Sequence, residues 1–163
     1  MFPLEIETLA RLLVAEARER SLRIVTAESC TGGLVAGAIC AVAGASDVFE
    51  RGFVTYSNRA KQELLGVPGD LIADYGAVSE PVARMMAEGA LENSNAHLAV
   101  AVTGIAGPGG GTPMKPVGTV HIATARSNEA LAHQRHLFDQ ETRDGIQLAA
   151  VEAALQALRD RIG

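Results

Sequence analysis

Residues 22–42 read LRIVTAESCTGGLVAGAICAV, and the fold is decided by how this stretch is divided. Leu22 to Ala27 is a short β-rich run, Glu28 to Gly33 a small polar turn closed by two glycines, and Leu34 to Val42 almost wholly apolar. Strand, turn, glycine pair and a helix buried on most sides form the opening of a βα unit.

The pattern continues in both directions. Leu4 to Ser21 is an amphipathic helix, with Ile6, Leu9, Leu12, Leu13 and Ala17 at helical spacing and Arg11, Arg18, Glu19 and Arg20 mostly between them. Gly52 to Ser57 reads as a second strand, and Asn58 as the cap of a short helix, Arg59 to Leu65, that Gly66 and Pro68 end. Ser79 caps the next helix, with Pro81 in its first turn where the missing N–H costs nothing, and that helix runs to about Leu91. His97 to Thr103 is a strongly apolar strand. Val117 to Arg126 and Ala130 to Phe138 form an antiparallel hairpin through Ser127-Asn128-Glu129. A closing helix, Thr142 to Ile162, offers Ile146, Ala149, Ala150, Ala153, Leu155 and Leu158 to a core. The order α-β-α-β-α-α-β-β-β-α predicts an α/β fold: a three-layer α/β/α sandwich around a mixed, mostly parallel sheet with an antiparallel hairpin.

With 163 residues and neither repeat nor linker, residues 1–163 are expected to form a single domain. The chain is 48% hydrophobic and 20% charged, the balance of a folded domain rather than a disordered one. Its 28 alanines, 17 glycines and 4% aromatic content favour closely layered helices and sheet. A net charge of −5 without a basic run argues against nucleic acid or an anionic membrane surface as partner, while leaving room for a local anion pocket. The longest apolar run, Leu34 to Ala45, is well short of the ~20 residues that span a bilayer. The first residues carry Glu5 and Glu7 where a signal peptide would be basic. The expectation is a soluble, cytoplasmic protein with Cys30 and Cys40 reduced; whether it forms a homo-oligomer stays open.

Three polar, glycine-containing segments follow predicted strands: Glu28 to Gly33, Tyr56 to Lys61 and Thr103 to Gly111. In open α/β sheets, sites form beyond the carboxyl ends of the strands, so parallel strands would bring the three together. Ser29 has two readings, a helix cap (a role Thr31 shares) or a nucleophile beside backbone N–H groups able to hold an oxyanion. Lys61 is either a solvated helix residue or, if desolvated, a general base for that serine. Tyr56 either relays a proton and orients the lysine, or packs at the rim. The run from Thr103 carries five glycines in residues 104–111, which suits a nest of N–H groups for a phosphate or carboxylate, or equally a solvent loop. It has neither the Walker A ending nor the dinucleotide-binding glycine spacing. No histidine lies in these segments, so a Ser-His-Asp triad has little support. His133 and His136 would face opposite sides of a strand, and no metal or other cofactor is expected.

Together the segments resemble the C-terminal domain family of the competence/damage-inducible protein CinA, whose stand-alone enzymatic members are nicotinamide-nucleotide amidases. The resemblance rests on Ala27-Glu-Ser-Cys-Thr-Gly-Gly33, Phe49-Glu-Arg-Gly-Phe-Val-Thr-Tyr-Ser-Asn-Arg-Ala-Lys61, Gly76-Ala-Val-Ser-Glu-Pro81, Thr103-Gly-Ile-Ala-Gly-Pro108 and Lys115-Pro-Val-Gly-Thr-Val120, in order along the chain. It implies metal-independent hydrolysis of the carboxamide of nicotinamide mononucleotide to nicotinate mononucleotide and ammonia, in pyridine nucleotide (NAD) recycling. Carried onto this sequence, it makes Ser29 the nucleophile, Lys61 the general base and Tyr56 an assistant, with Ser46 the competing serine. Substrate would be held by Thr31, Gly32, Gly33, Thr103, Gly104, Gly107, Gly109 and Gly110, and its phosphate by Arg143. The loop Gly107-Pro-Gly-Gly-Gly111 departs from the family pattern, which usually has a polar residue among the glycines. The other reading is a non-catalytic nucleotide-binding module with a regulatory role in competence or DNA-damage responses.

Overall fold

The structure is a computed structural model describing residues 1–163. Five strands, β1 (Ile24–Glu28), β2 (Phe49–Val54), β3 (Leu98–Gly104), β4 (Thr119–Arg126) and β5 (Ala132–Leu137), form one sheet in the order β2-β1-β3-β4-β5. β2, β1 and β3 run parallel, whereas β4 is antiparallel to β3 and β5 to β4. Helices α1 (Leu4–Glu19), α2 (Leu34–Cys40) and α6 (Arg143–Asp160) cover one face. Helices α3 (Asn58–Leu65), α4 (Gly69–Tyr75) and α5 (Glu80–Glu92) cover the other. This is the expected three-layer sandwich, and none of its helices is long and apolar enough to cross a membrane.

The two faces differ in side-chain size. Leu98, Val100 and Val102 of β3, with Val120 and Ile122 of β4, point into the core beneath α1, α2 and α6. The alternate residues Ala99, Ala101, Ala123 and Ala125 face α5. Because side chains alternate along a strand, one sequence builds a deep branched-aliphatic core on one side and a shallow alanine floor on the other. α5 in turn lies close against the C-terminal end of α3: a Cβ added at Gly89 would sit 1.9 Å from the Leu65 carbonyl oxygen.

Several boundaries depart from the sequence reading. β2 runs from Phe49 to Val54 rather than from Gly52 to Ser57, because parallel pairing with β1 aligns Ile24 with Phe49 and Glu28 with Val54. The last backbone bond in this direction, from Thr55 N–H to the Glu28 carbonyl (2.8 Å), leaves Tyr56 and Ser57 outside the sheet. Ser57, not Asn58, caps α3, accepting from the Ala60 N–H at 3.0 Å. The helix α4 has no counterpart in the sequence reading; burial of Ile72 in the α3–α5 core stabilises a segment too short to form a helix alone. On α1, Ala10 and Val14 are buried while Leu12 is 42% exposed.

Neither Ser29 nor Thr31 caps α2. The residue before that helix is Gly33, at φ 103, with no side chain to offer. Glu28, the last residue of β1 and fully buried, reaches over instead. It accepts from the Val35 N–H (2.8 Å) and Thr31 Oγ1 (2.7 Å) with one oxygen, and from the Ala36 N–H (3.0 Å) with the other. Three donors and the positive end of a helix thus meet a carboxylate that has no cation beside it.

Two substitutions test this packing. Gly89→Ala gains helix propensity worth up to ~1 kcal/mol, but the new methyl meets backbone, so the net effect is a loss of about 1–3 kcal/mol by denaturant unfolding. Glu28→Gln sets an NH2 against at least one of the three donors and lowers unfolding free energy by about 1–3 kcal/mol.

Candidate active site

Because β1, β2 and β3 are parallel, the segments that follow them emerge on one side of the sheet. Ser29 directly follows β1, and its N–H donates to the Val102 carbonyl of β3 at 2.9 Å. The chain after β2 turns at Tyr56 and Ser57 into α3, whose first turns carry Lys61. β3 ends at Thr103 and Gly104 and leads into the glycine loop. A cavity of about 260 Å³ lies between these ends.

Lys61 Nζ lies 2.9 Å from Ser29 Oγ, though 32 residues separate the two along the chain. It also lies 2.9 Å from the Thr55 carbonyl oxygen and 3.2 Å from that of Tyr56. Lys61 is 1% exposed, and no carboxylate forms an ion pair with it. Burial holds its pKa below the ordinary lysine value of 10.5. In the neutral amine, two N–H bonds donate to the two carbonyls and the lone pair is left to accept the Ser29 O–H. The neighbouring Cys30 is a poor thiolate by comparison, since burial pushes its pKa up to about 12.

On the opposite wall, Arg143, the first residue of α6, donates to the Gly107 carbonyl (2.6 Å) and to the Tyr56 hydroxyl (2.8 Å). It too has no carboxylate partner. The N–H groups of Ala106, Gly107, Gly109 and Gly110 find no acceptor within the protein. A cation beside free backbone donors is an arrangement suited to an anionic group. Gly107 is held at φ 76, and a Cβ there would meet Val117 at 2.5 Å, so glycine is required both by conformation and by space. The Thr103 hydroxyl lines the cavity while donating to the Ala77 carbonyl at 2.9 Å.

Ser29, Lys61, Tyr56, Thr103, Gly104, Gly107, Gly109, Gly110 and Arg143 therefore share one cavity. Other residues depart from the sequence reading. Ser46 is exposed in a single 3-10 turn (Ala45–Asp47) that precedes β2, at the end of the sheet opposite Ser29 and Lys61. Thr31, Gly32 and Gly33 lie outside the cavity lining, and the Thr31 hydroxyl is committed to Glu28. The Tyr56 phenol meets Arg143, so only its carbonyl touches the lysine. Asn58, Ala77 and Val78 line the cavity and were not singled out as site residues; nothing in their local pattern separates them from a cap and a loop. The histidines are elsewhere. His97 Nδ1 accepts from the Arg23 N–H at 2.8 Å, and His121 and His133 pair at 2.8 Å across β4 and β5.

The sequence and the fold both have counterparts among known proteins. Residues 6–162 match the family model described as CinA C-terminal domain. A CinA-like protein of Akkermansia muciniphila is 51% identical over 153 residues, covering 94% of this chain and 37% of that protein. The chain thus spans little more than a third of the length of such relatives. Among solved structures, the competence/damage inducible protein CihA from Agrobacterium tumefaciens superposes with a TM-score of 0.96 at 49% identity, covering 98% of this chain and 97% of the other. A CinA superfamily protein from Escherichia coli gives 0.91 at 36% identity, covering 96% and 90%. With fold, length of match and identity in agreement, this chain belongs to the CinA C-terminal domain family.

Proposed function

We propose that the cavity hydrolyses the carboxamide of nicotinamide mononucleotide to a carboxylate and ammonia, a step in recycling pyridine nucleotides, with Ser29 as nucleophile and Lys61 as general base. The observation that carries this reading is the set of Lys61 Nζ neighbours: two carbonyl oxygens and one serine hydroxyl, with no counter-charge. A buried amine without a carboxylate favours its neutral form, the form able to take a proton.

The chemistry follows from that proton. Ser29 Oγ adds to the amide carbon as its proton passes to Lys61 Nζ, and the carbonyl π pair moves onto oxygen. The N–H groups of Cys30 and Thr31, next along the chain from the nucleophile, have no acceptor within the protein and serve as donors for that oxyanion. Collapse of the tetrahedral adduct breaks the C–N bond, the lysine proton leaves with ammonia, and an ester to Ser29 remains. Water then attacks the ester with its proton going to Lys61, and Ser29 departs protonated. No net proton is stored on the protein. At the far end of the substrate, Arg143 and the glycine-loop N–H groups suit the phosphate.

Purified protein is expected to release ammonia from nicotinamide mononucleotide, with the acid product identified by mass spectrometry. Ser29→Ala and Lys61→Ala each lower kcat by roughly 10³-fold or more, while Ser46→Ala leaves it unchanged. Full activity in both site variants would end the proposal. Because the base must be unprotonated, kcat/KM rises with pH, and the midpoint of the rise falls below 10.5 in keeping with the lowered lysine pKa. Arg143→Met raises KM for the mononucleotide about tenfold or more and changes KM for an unphosphorylated nicotinamide riboside far less. A non-catalytic nucleotide-binding module would instead bind the mononucleotide through the glycine loop and return it with its amide intact.

A further inference from the structure

One face of α6 carries two polar residues toward the cavity end of the sheet. Arg143 and Gln147 are four apart, about one turn, and so lie one above the other. Arg143 reaches the glycine loop and Tyr56. Gln147, half-buried, donates from Nε2 to the Cys30 carbonyl oxygen at 3.0 Å. Nothing in the proposed amidase chemistry uses that bond directly.

Its position gives it a consequence. Ser29 to Gly32 form a turn closed by the Gly32 N–H on the Ser29 carbonyl at 3.1 Å. The Cys30 carbonyl belongs to the central peptide of that turn, whose other end is the Thr31 N–H. In a trans peptide the C=O and N–H point in opposite directions, so an anchor on the carbonyl fixes the direction of the N–H. Thr31, 1% exposed, lies just behind Cys30, which lines the cavity, and its N–H has no acceptor in the protein. A buried backbone donor without a partner is rare in folded proteins and takes its acceptor from outside the chain, from water or a ligand atom.

The alternative orientation is a flip of the central peptide, which turns the carbonyl toward the nucleophile. Such a flip needs positive φ at Thr31, which a β-branched residue resists. Thr31 is not among the residues of positive φ here. The Thr31 side chain and Gln147 thus act on the same peptide, one by backbone preference and the other by a hydrogen bond from 117 residues away.

We infer that Gln147 is a positioning residue which holds the Cys30–Thr31 peptide so that the Thr31 N–H, beside that of Cys30, faces the oxyanion formed when Ser29 attacks. The inference rests on the amidase reading, and its test separates the two. Gln147→Met keeps length and helix propensity but removes the donor. Gln147→Glu keeps the shape and sets an acceptor against the Cys30 carbonyl. Each is compared with wild type in kcat and KM for nicotinamide mononucleotide, in pH profile, in melting temperature, and in the rate at which a fluorophosphonate labels Ser29. That reagent forms its bond to the serine oxygen with loss of fluoride through a transition state bearing an oxyanion, and needs no natural substrate.

The expected result is a fall of roughly 10–100-fold in both kcat and labelling rate, larger for Glu than for Met. KM, the rising pH limb set by Lys61, and melting temperature stay close to wild type, none of which a general loosening of the fold would preserve. Labelling of Gln147→Met at the wild-type rate overturns the inference, as does a loss confined to KM or a displaced pH limb. Should one variant fail to fold, the other decides on the same readouts. Absence of labelling at Ser29 in the wild type counts against the serine mechanism itself.

Discussion

The site depends on keeping one amine out of water. Lys61 has four methylenes able to carry its charge to solvent, and such side chains are almost never fully buried unless paired. Here Nζ ends against two carbonyl oxygens and a serine hydroxyl, with burial as the dominant influence on its pKa. Two neutral acceptors offset only part of the cost of burying a cation there, so burial shifts the balance toward the neutral amine. A carboxylate near Nζ would reverse that balance. The fully buried carboxylate close by, Glu28, is occupied by Thr31 and the first N–H groups of α2.

Rigidity around the pair comes from the backbone. Ser29 is tied to β3 through the Val102 carbonyl, and Thr55, whose carbonyl meets the lysine, is tied to β1 through the Glu28 carbonyl. Ser29 and the Thr55 acceptor of Lys61 are therefore set by sheet hydrogen bonds rather than by loop conformation. α3 brings Lys61 across from its Ser57 cap. The close approach of α5 to α3 at Gly89 holds that helix down on the sheet. Beyond the sheet the restraint changes in kind: the glycine loop is gripped by Arg143, and the turn after Ser29 by Gln147, both from α6. One helix thus braces two of the irregular segments that border the cavity.

Much of this was legible locally. The apolar run after Gly33, the strongly apolar run of β3 and the Ser79-Glu80-Pro81 helix start each follow from short-range pattern, and the elements lie where those patterns put them. The misreadings share a cause. Asn58 and Ser57 are both good caps, and only the point where β2 leaves β1 decides between them. α4 depends on Ile72 finding the core beneath α5. The cap of α2 comes from a glutamate six residues before the helix, in a strand, where no local rule would look for it.

The sequence by itself determined the kinds of element, their order, and the chemical inventory at the strand ends: a serine, a lysine, a tyrosine and a run of glycines. Periodicity and turn chemistry act over a few residues, so a single chain carries them openly. Tertiary structure alone decided which serine faces the lysine, that Arg143 meets the Tyr56 hydroxyl, and that the amine is buried. Each of these is a relation between distant residues in a low-dielectric interior, and desolvation has no meaning until the chain has closed around the group.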